Sequence, residues 1–307
     1  MKMQKKLLTG TAIALAGVLG LSACSAADAV PEAPAQALTS GVNEAAAKAV
    51  PQSFRDSGLV RVASGIPYPP FILMDDKDRL SGFDWDLSQA LGEKLDLTFE
   101  VKHQNFETVI PALQSKRFDV IMAGMNDSVE REKTLNFVDY LRAGFTIVVK
   151  KGNPEQIGTL LDLCGQTVAV QKSTIQGQIL RDLVAECEAK GKPGVAVQEL
   201  PVANDAQTAL KAGKADAYVT DAPVAAYTIK TSGGGNDFEG VEDPENPQGF
   251  KPAYTGVGIL KEQAGLTEAI QLALQSLIEE GVYQDLLAKH GMPSLGVDEA
   301  IVNAAGK

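Results

Sequence analysis

Few residues in this 307-residue chain could carry covalent chemistry. It has two histidines, His103 and His290, and three cysteines, Cys24, Cys164 and Cys187. There is no G-x-S-x-G elbow, no phosphate loop ending in Gly-Lys-Ser/Thr, no H-E-x-x-H and no G-x-G-x-x-G. General acid–base work would therefore fall to carboxylates. Asp75, Asp76 and Asp78 resemble the start of a calcium loop, but Leu80 occupies the next ligand position, so the segment reads as a solvated turn. Neither histidine lies near a cysteine, and no metal or cofactor is expected. What remains is binding chemistry. Arg131 carries a planar guanidinium that can meet a carboxylate through two parallel hydrogen bonds, although Glu130 and Glu132 beside it could equally claim it as a surface pair. Asp221 follows the apolar run Ala217-Tyr218-Val219 and precedes Pro223, so it is either a helix cap or an anion facing a ligand. Thr174 lies where a strand turns into a helix, a position suited to capping and to binding an anion.

The elements that must position these residues alternate. Leu59 to Ala63 reads as a strand, and Gly65 to Phe71, broken by Pro67, Pro69 and Pro70, as a loop. A helix over 84–95, a strand over 97–101, an amphipathic segment over 106–115 and a strand over 118–122 follow. Arg131 comes after that last strand, beyond a loop containing Gly124 and Asn126, and ligands of open α/β sheets sit at the carboxyl ends of strands. After the break at 150–154 the alternation restarts. It gives strands at 167–170, 195–199 and 217–219, and helices at 174–189, 204–212 and 223–230. A Gly/Pro/Asp-rich loop is expected over 231–251, then a strand at 254–260 and helices at 266–280 and 282–290. Two α/β units in series, with the last elements returning to the first, predict mostly parallel sheets covered by helices.

The N-terminus reads as an export signal. Lys2, Lys5 and Lys6 precede an uncharged apolar run from Leu7 to Leu21, too short for the roughly 20 residues of a membrane-spanning helix. Leu21-Ser22-Ala23-Cys24 resembles a bacterial lipobox, which implies cleavage after residue 23, lipid on Cys24 and a membrane-anchored protein outside the cytoplasm. Residues 24–56 are Ala-rich with few large apolar side chains and read as a flexible tether, with one or two helical turns near Glu44 to Val50. With Cys24 set aside, Cys164 and Cys187 in an exported protein are expected to form a disulfide, the alternative being two buried thiols. The net charge of −11 argues against nucleic-acid partners.

From Gly82 the chain reads GFDWDLSQALGEKL, then NFETVIPALQSKRFDVIMAGM, NDSVEREKTLNFVDY and FTIVVKKG. This combination resembles the amino-acid-binding proteins of bacterial ABC importers, the extracellular solute-binding proteins of family 3, from about Leu59 to His290. The resemblance implies a two-lobe, type II periplasmic-binding fold with two hinge strands near 145–149 and 254–260. Lobe one would hold 57–144 and 256–307, and lobe two 145–255. It implies a non-enzymatic, monomeric protein that closes on a polar amino acid and delivers it to a permease and its ATPase. Arg131 would clamp the ligand's α-carboxylate and Asp221 its ammonium. Asn126, Gly124, Thr174 and Gln176 would add polar contacts, with Ala123 and Gly124 offering only backbone groups where relatives use serines. Tyr68 and Phe106 would wall the side chain, and Trp85 would pack. Basic-ligand relatives often carry an acid near the position of Gly65; it is missing here, and no extra cation favours glutamate or aspartate. A carboxylate enzyme on the same fold, dehydratase-like, and a ligand-presenting sensor are the alternatives.

Overall fold

The structure, a computed structural model, describes residues 41–306. The expected signal (1–23), Cys24 and the tether as far as residue 40 lie outside the described residues. In chain order the elements are α1 (Glu44–Ala49), α2 (Gln52–Ser57), β1 (Leu59–Ser64), β2 (Leu73–Met74), β3 (Leu80–Ser81), α3 (Phe83–Leu95), β4 (Thr98–His103), α4 (Val109–Gln114), β5 (Val120–Ile121) and β6 (Leu135–Lys150). Then come β7 (Thr167–Gln171), α5 (Ile175–Ala189), β8 (Ala196–Leu200), α6 (Ala203–Lys211), β9 (Ala217–Asp221) and α7 (Ala222–Thr231). The chain ends with β10 (Phe238–Val241), β11 (Phe250–Leu260), α8 (Ala264–Glu279), α9 (Val282–Lys289) and β12 (Ile301–Val302).

The main sheet runs β4-β1-β5-β11-β6-β9-β7-β8, with β10 and β12 added along β6. The strands β4, β1 and β5 are parallel, as are β9, β7 and β8. Between these two parallel blocks lie β11 and the 16-residue β6, antiparallel to each other and to their outer neighbours. One end of β6 thus belongs to one block and the other end to the second, which gives the two lobes.

Each block buries apolar side chains on both of its faces, as parallel strands require. Val62, Leu87, Leu91, Ile270 and Tyr283 form one cluster of the first block, and Val109, Leu113 and Phe137 form another. In the second block Val168, Leu180 and Val219 pack on one face, and Val148, Leu210 and Tyr218 on the other. Helix α3 shows why: Phe83, Leu87, Leu91 and Leu95 recur every fourth residue and are buried. Each such side chain removed from water contributes roughly 1.5–3 kcal/mol. Asp84 and Asp86 lie in its first turn, where acidic groups favour the dipole, and Asp96 ends it in the left-handed conformation, φ 55°. Cys164 and Cys187 are bonded, Cα–Cα 5.7 Å, joining the approach to β7 to the end of α5.

Three expectations need correction. Residues 44–56 are not a flexible tether: Ala46, Val50 and Phe54, four apart, are buried in the first core, and Asn43 caps α1 by accepting from the Ala46 N–H at 2.9 Å. The expected loop over 231–251 contains β10, whose Phe238 and Val241 are buried where it pairs with β6. The expected strand over 118–122 contracts to Val120–Ile121, and those at 145–149 and 254–260 are parts of the longer β6 and β11.

Candidate functional site

Most of the residues singled out above meet between the two blocks. Asp221 ends β9 and starts α7 by position, yet its side chain makes no capping bond to the helix. It turns inward instead, 5% exposed. Its Oδ2 accepts from the Tyr68 hydroxyl at 2.5 Å; its Oδ1 accepts from Asn126 Nδ2 at 3.1 Å and Gln176 Nε2 at 2.8 Å. Burial raises the Asp221 carboxyl above the usual range, while these donors and the Arg131 charge pull it down.

Arg131 stands in a short turn after the β5 loop. Nη1 donates to the Asn126 carbonyl at 2.5 Å, and Nη2 reaches across to the Ser173 carbonyl at 2.9 Å. The guanidinium carbon lies 5.6 Å from the centre of the Phe106 ring, within cation–π range. Burial brings the guanidinium down to about 10, against the opposing pull of Asp221 and Asp127. Asn126 therefore links both ionic groups, its carbonyl serving Arg131 and its amide serving Asp221. A further bond from Nδ2 to Thr255 Oγ1 at 3.2 Å braces it. Its Oδ1 accepts from Gln176 Nε2 at 3.4 Å. Gln176 and Asp221 thus come from the second block, Tyr68, Asn126 and Arg131 from the first.

Two expected contacts resolve differently. The N–H of Gly124 donates to Asp84 Oδ2 at 2.8 Å, so that group is engaged within the chain. What the position requires is small size: at φ +56° a Cβ would stand 2.9 Å from Phe71 Cδ2 and 3.0 Å from Tyr68 Cε1. The Thr174 hydroxyl accepts from the Gly177 N–H at 3.1 Å and donates to the Gln171 carbonyl at 2.8 Å. Its only proton is thereby used within the turn, so the cap is seen and a hydroxyl gift to a ligand is not. Trp85 packs against the first core.

Sequence reasoning missed several supports. Asp84, buried in α3, accepts from the Gly124 N–H and from the Tyr140 hydroxyl at 2.8 Å, and burial raises it to about 7. Asp127 accepts from the Ala305 N–H at 3.0 Å and rises to about 6 through burial and its Glu132 neighbour. Thr220, Thr255 and the Ser173 carbonyl also escaped notice. The one available signal was the carboxyl end of each strand, where Met122–Asp127, Gln171–Gln176 and Thr220–Asp221 all cluster.

Residues 60–293 match the bacterial extracellular solute-binding proteins, family 3. The chain belongs to this family. Among solute-binding relatives of known name, the arginine-binding protein ArgT of Corynebacterium glutamicum is 31% identical over 258 residues, 83% of this chain and 81% of that protein. The L-cystine-binding protein TcyJ of Escherichia coli is 29% identical over 78% of this chain and 88% of its own length. Solved structures of the same two-lobe fold include an ancestral arginine-binding protein bound to arginine (TM-score 0.69, 34% identity, 76% of this chain and 98% of that one). Another is an ancestral amino-acid-binding protein described as a precursor of cyclohexadienyl dehydratase (TM-score 0.67, 30% identity, 78% and 97%).

Proposed function

We propose that this protein captures a free polar amino acid between its lobes and presents it to an ABC permease, without covalent change. The observation that carries the reading is the convergence of a half-buried guanidinium and a buried carboxylate from opposite blocks, joined through Asn126. A zwitterion has the complementary pair of charges, its carboxylate for Arg131 and its ammonium for Asp221. Gln176 and Asn126 supply neutral polar contacts, and the Tyr68 and Phe106 rings form the apolar wall. Lobe one is taken as 57–144 with 256–307 and lobe two as 145–255. Bending of β6 and β11 between them would close the cleft, because a ligand touching both lobes favours the closed form. Lipid on Cys24 would keep the protein at the outer membrane surface of the cell that exports it.

The named relatives put cationic amino acids at the head of the candidates. With no carboxylate at Gly65, such a side chain would rest on the faces of Tyr68 and Phe106. A thermal-shift screen of the twenty L-amino acids, followed by calorimetry, tests the reading; a protein whose melting none of them raises is not an amino-acid receptor. A second reading, an enzyme using Asp221 as acid or base, is favoured by that carboxyl's raised pKa and by the dehydratase-precursor neighbour. Unchanged mass of the ligand after long incubation excludes it.

A further inference from the structure

Asp221 is already engaged by the chain itself. Three neutral donors occupy three of the roughly four acceptor positions on its two oxygens, so an ammonium, which brings three N–H donors, has to compete with them. They are not equally held. Asn126 is braced by Thr255 and by its carbonyl bond to Arg131. Gln176 projects from the first turn of α5 and is 3% exposed. Tyr68 sits on the proline-rich loop after β1, and its hydroxyl has a second acceptor within reach, Thr220 Oγ1 at 3.4 Å. Among the described residues it is also the sole side-chain hydrogen-bond partner of Oδ2. Beside it opens a cavity of about 230 Å³ between that loop and helices α6 and α7, lined by Pro67, Asn204, Gln207, Tyr218 and Tyr227. The ring reaches Asp221 at all because Gly124 lets it pass, a Cβ there falling 3.0 Å from Tyr68 Cε1.

We propose that the Tyr68 hydroxyl is an internal competitor for the ammonium site, a latch that bonds Asp221 across the cleft and yields to the ligand. It rests on the amino-acid reading above. Tyr68 then does more than wall the pocket: it lowers the affinity of every zwitterion alike and holds the lobes together between binding events. The competitor leaves Asp221 when the ligand arrives, so its loss weakens only the form without ligand.

The test is calorimetry of Tyr68→Phe against wild type, using as probe the L-amino acid that most raises wild-type melting in the twenty-member screen. The variant keeps the ring and should bind about tenfold tighter, the worth of one hydrogen bond to a charged group. Small-angle scattering without added amino acid should show the variant less compact. Equal or weaker affinity in Tyr68→Phe overturns the latch. Wild-type protein that binds no amino acid sinks the underlying reading instead, and the latch with it.

Discussion

Replacing Arg131 by alanine is the sharpest perturbation of the proposed site. Five N–H groups fan out from a guanidinium. Two of them are engaged, by the carbonyls of Asn126 and Ser173, which hold the group in place against Phe106. Three remain, enough for a bidentate grip on an α-carboxylate without reorganisation. Hydrogen bonds to charged groups contribute about 1.5–3 kcal/mol each. Truncating one partner of a buried charge pair costs about 2–5 kcal/mol, part of it the penalty of stranding the other charge. The expected loss of affinity is thus about 30- to 5,000-fold. Arg131→Lys keeps the charge but cannot hold both carbonyls and the ligand at once, so it should fall between. Isothermal calorimetry with the best amino acid of the screen reads both. The melting curve without ligand checks that the variant folds, since the two freed carbonyls can bond to cleft water. An alanine variant that is folded and binds within about threefold of wild type would refute the carboxylate clamp.

Three further outcomes follow from the geometry. Reducing Cys164–Cys187 should remove about 3 kcal/mol on the loop-entropy account, for a separation of 23 residues, and lower the melting temperature by roughly 6–12 °C; a melt unmoved by reductant would contradict it. Asp84 is held near 7 by burial, against 3.8 for an ordinary aspartate, so the native state keeps its proton more tightly than the unfolded chain. Its contribution is full below about pH 4 and lost as pH rises to 7, about 4 kcal/mol at the outside, so the Asp84→Asn melting profile should fall less steeply between pH 4 and 7; parallel profiles would show that Asp84 is not the group responsible. Phe54→Ala should cost about 3–5 kcal/mol by chemical denaturation, because α2 is packed onto the core, whereas a surface tether would lose less than 0.5 kcal/mol.

Much of the architecture was open to reading along the chain. The alternation of period-2 and helical patterns located most strands and helices, because each signal lies within one element. The odd cysteine count, once Cys24 was assigned to lipid, pointed to the Cys164–Cys187 bridge. Packing of α1 and α2 was hidden for a physical reason: alanine buries too little surface to announce itself, and Ala46, Val50 and Phe54 matter because α1 lies against α8 and α2 against β1. β10 was hidden because four residues between glycine-rich turns carry almost no periodicity, and only the edge of β6 makes them a strand.

The sequence by itself determined most of the alternating elements, the acidic net charge and the family. It placed Arg131 and Asp221 at strand ends without saying that they face each other. That was decided by tertiary structure, through the antiparallel run of β6 and β11 that sets the two parallel blocks edge to edge. The bonds that define the site join residues far apart in the chain: Tyr68 and Asp221 are separated by 153 positions, Gly124 and Asp84 by 40. Local spacing carries no information about such contacts, since a hydrogen bond depends on where two groups end in space. The spent Gly124 N–H, the raised Asp84 and the hydroxyl on Asp221 were therefore legible only in the folded chain.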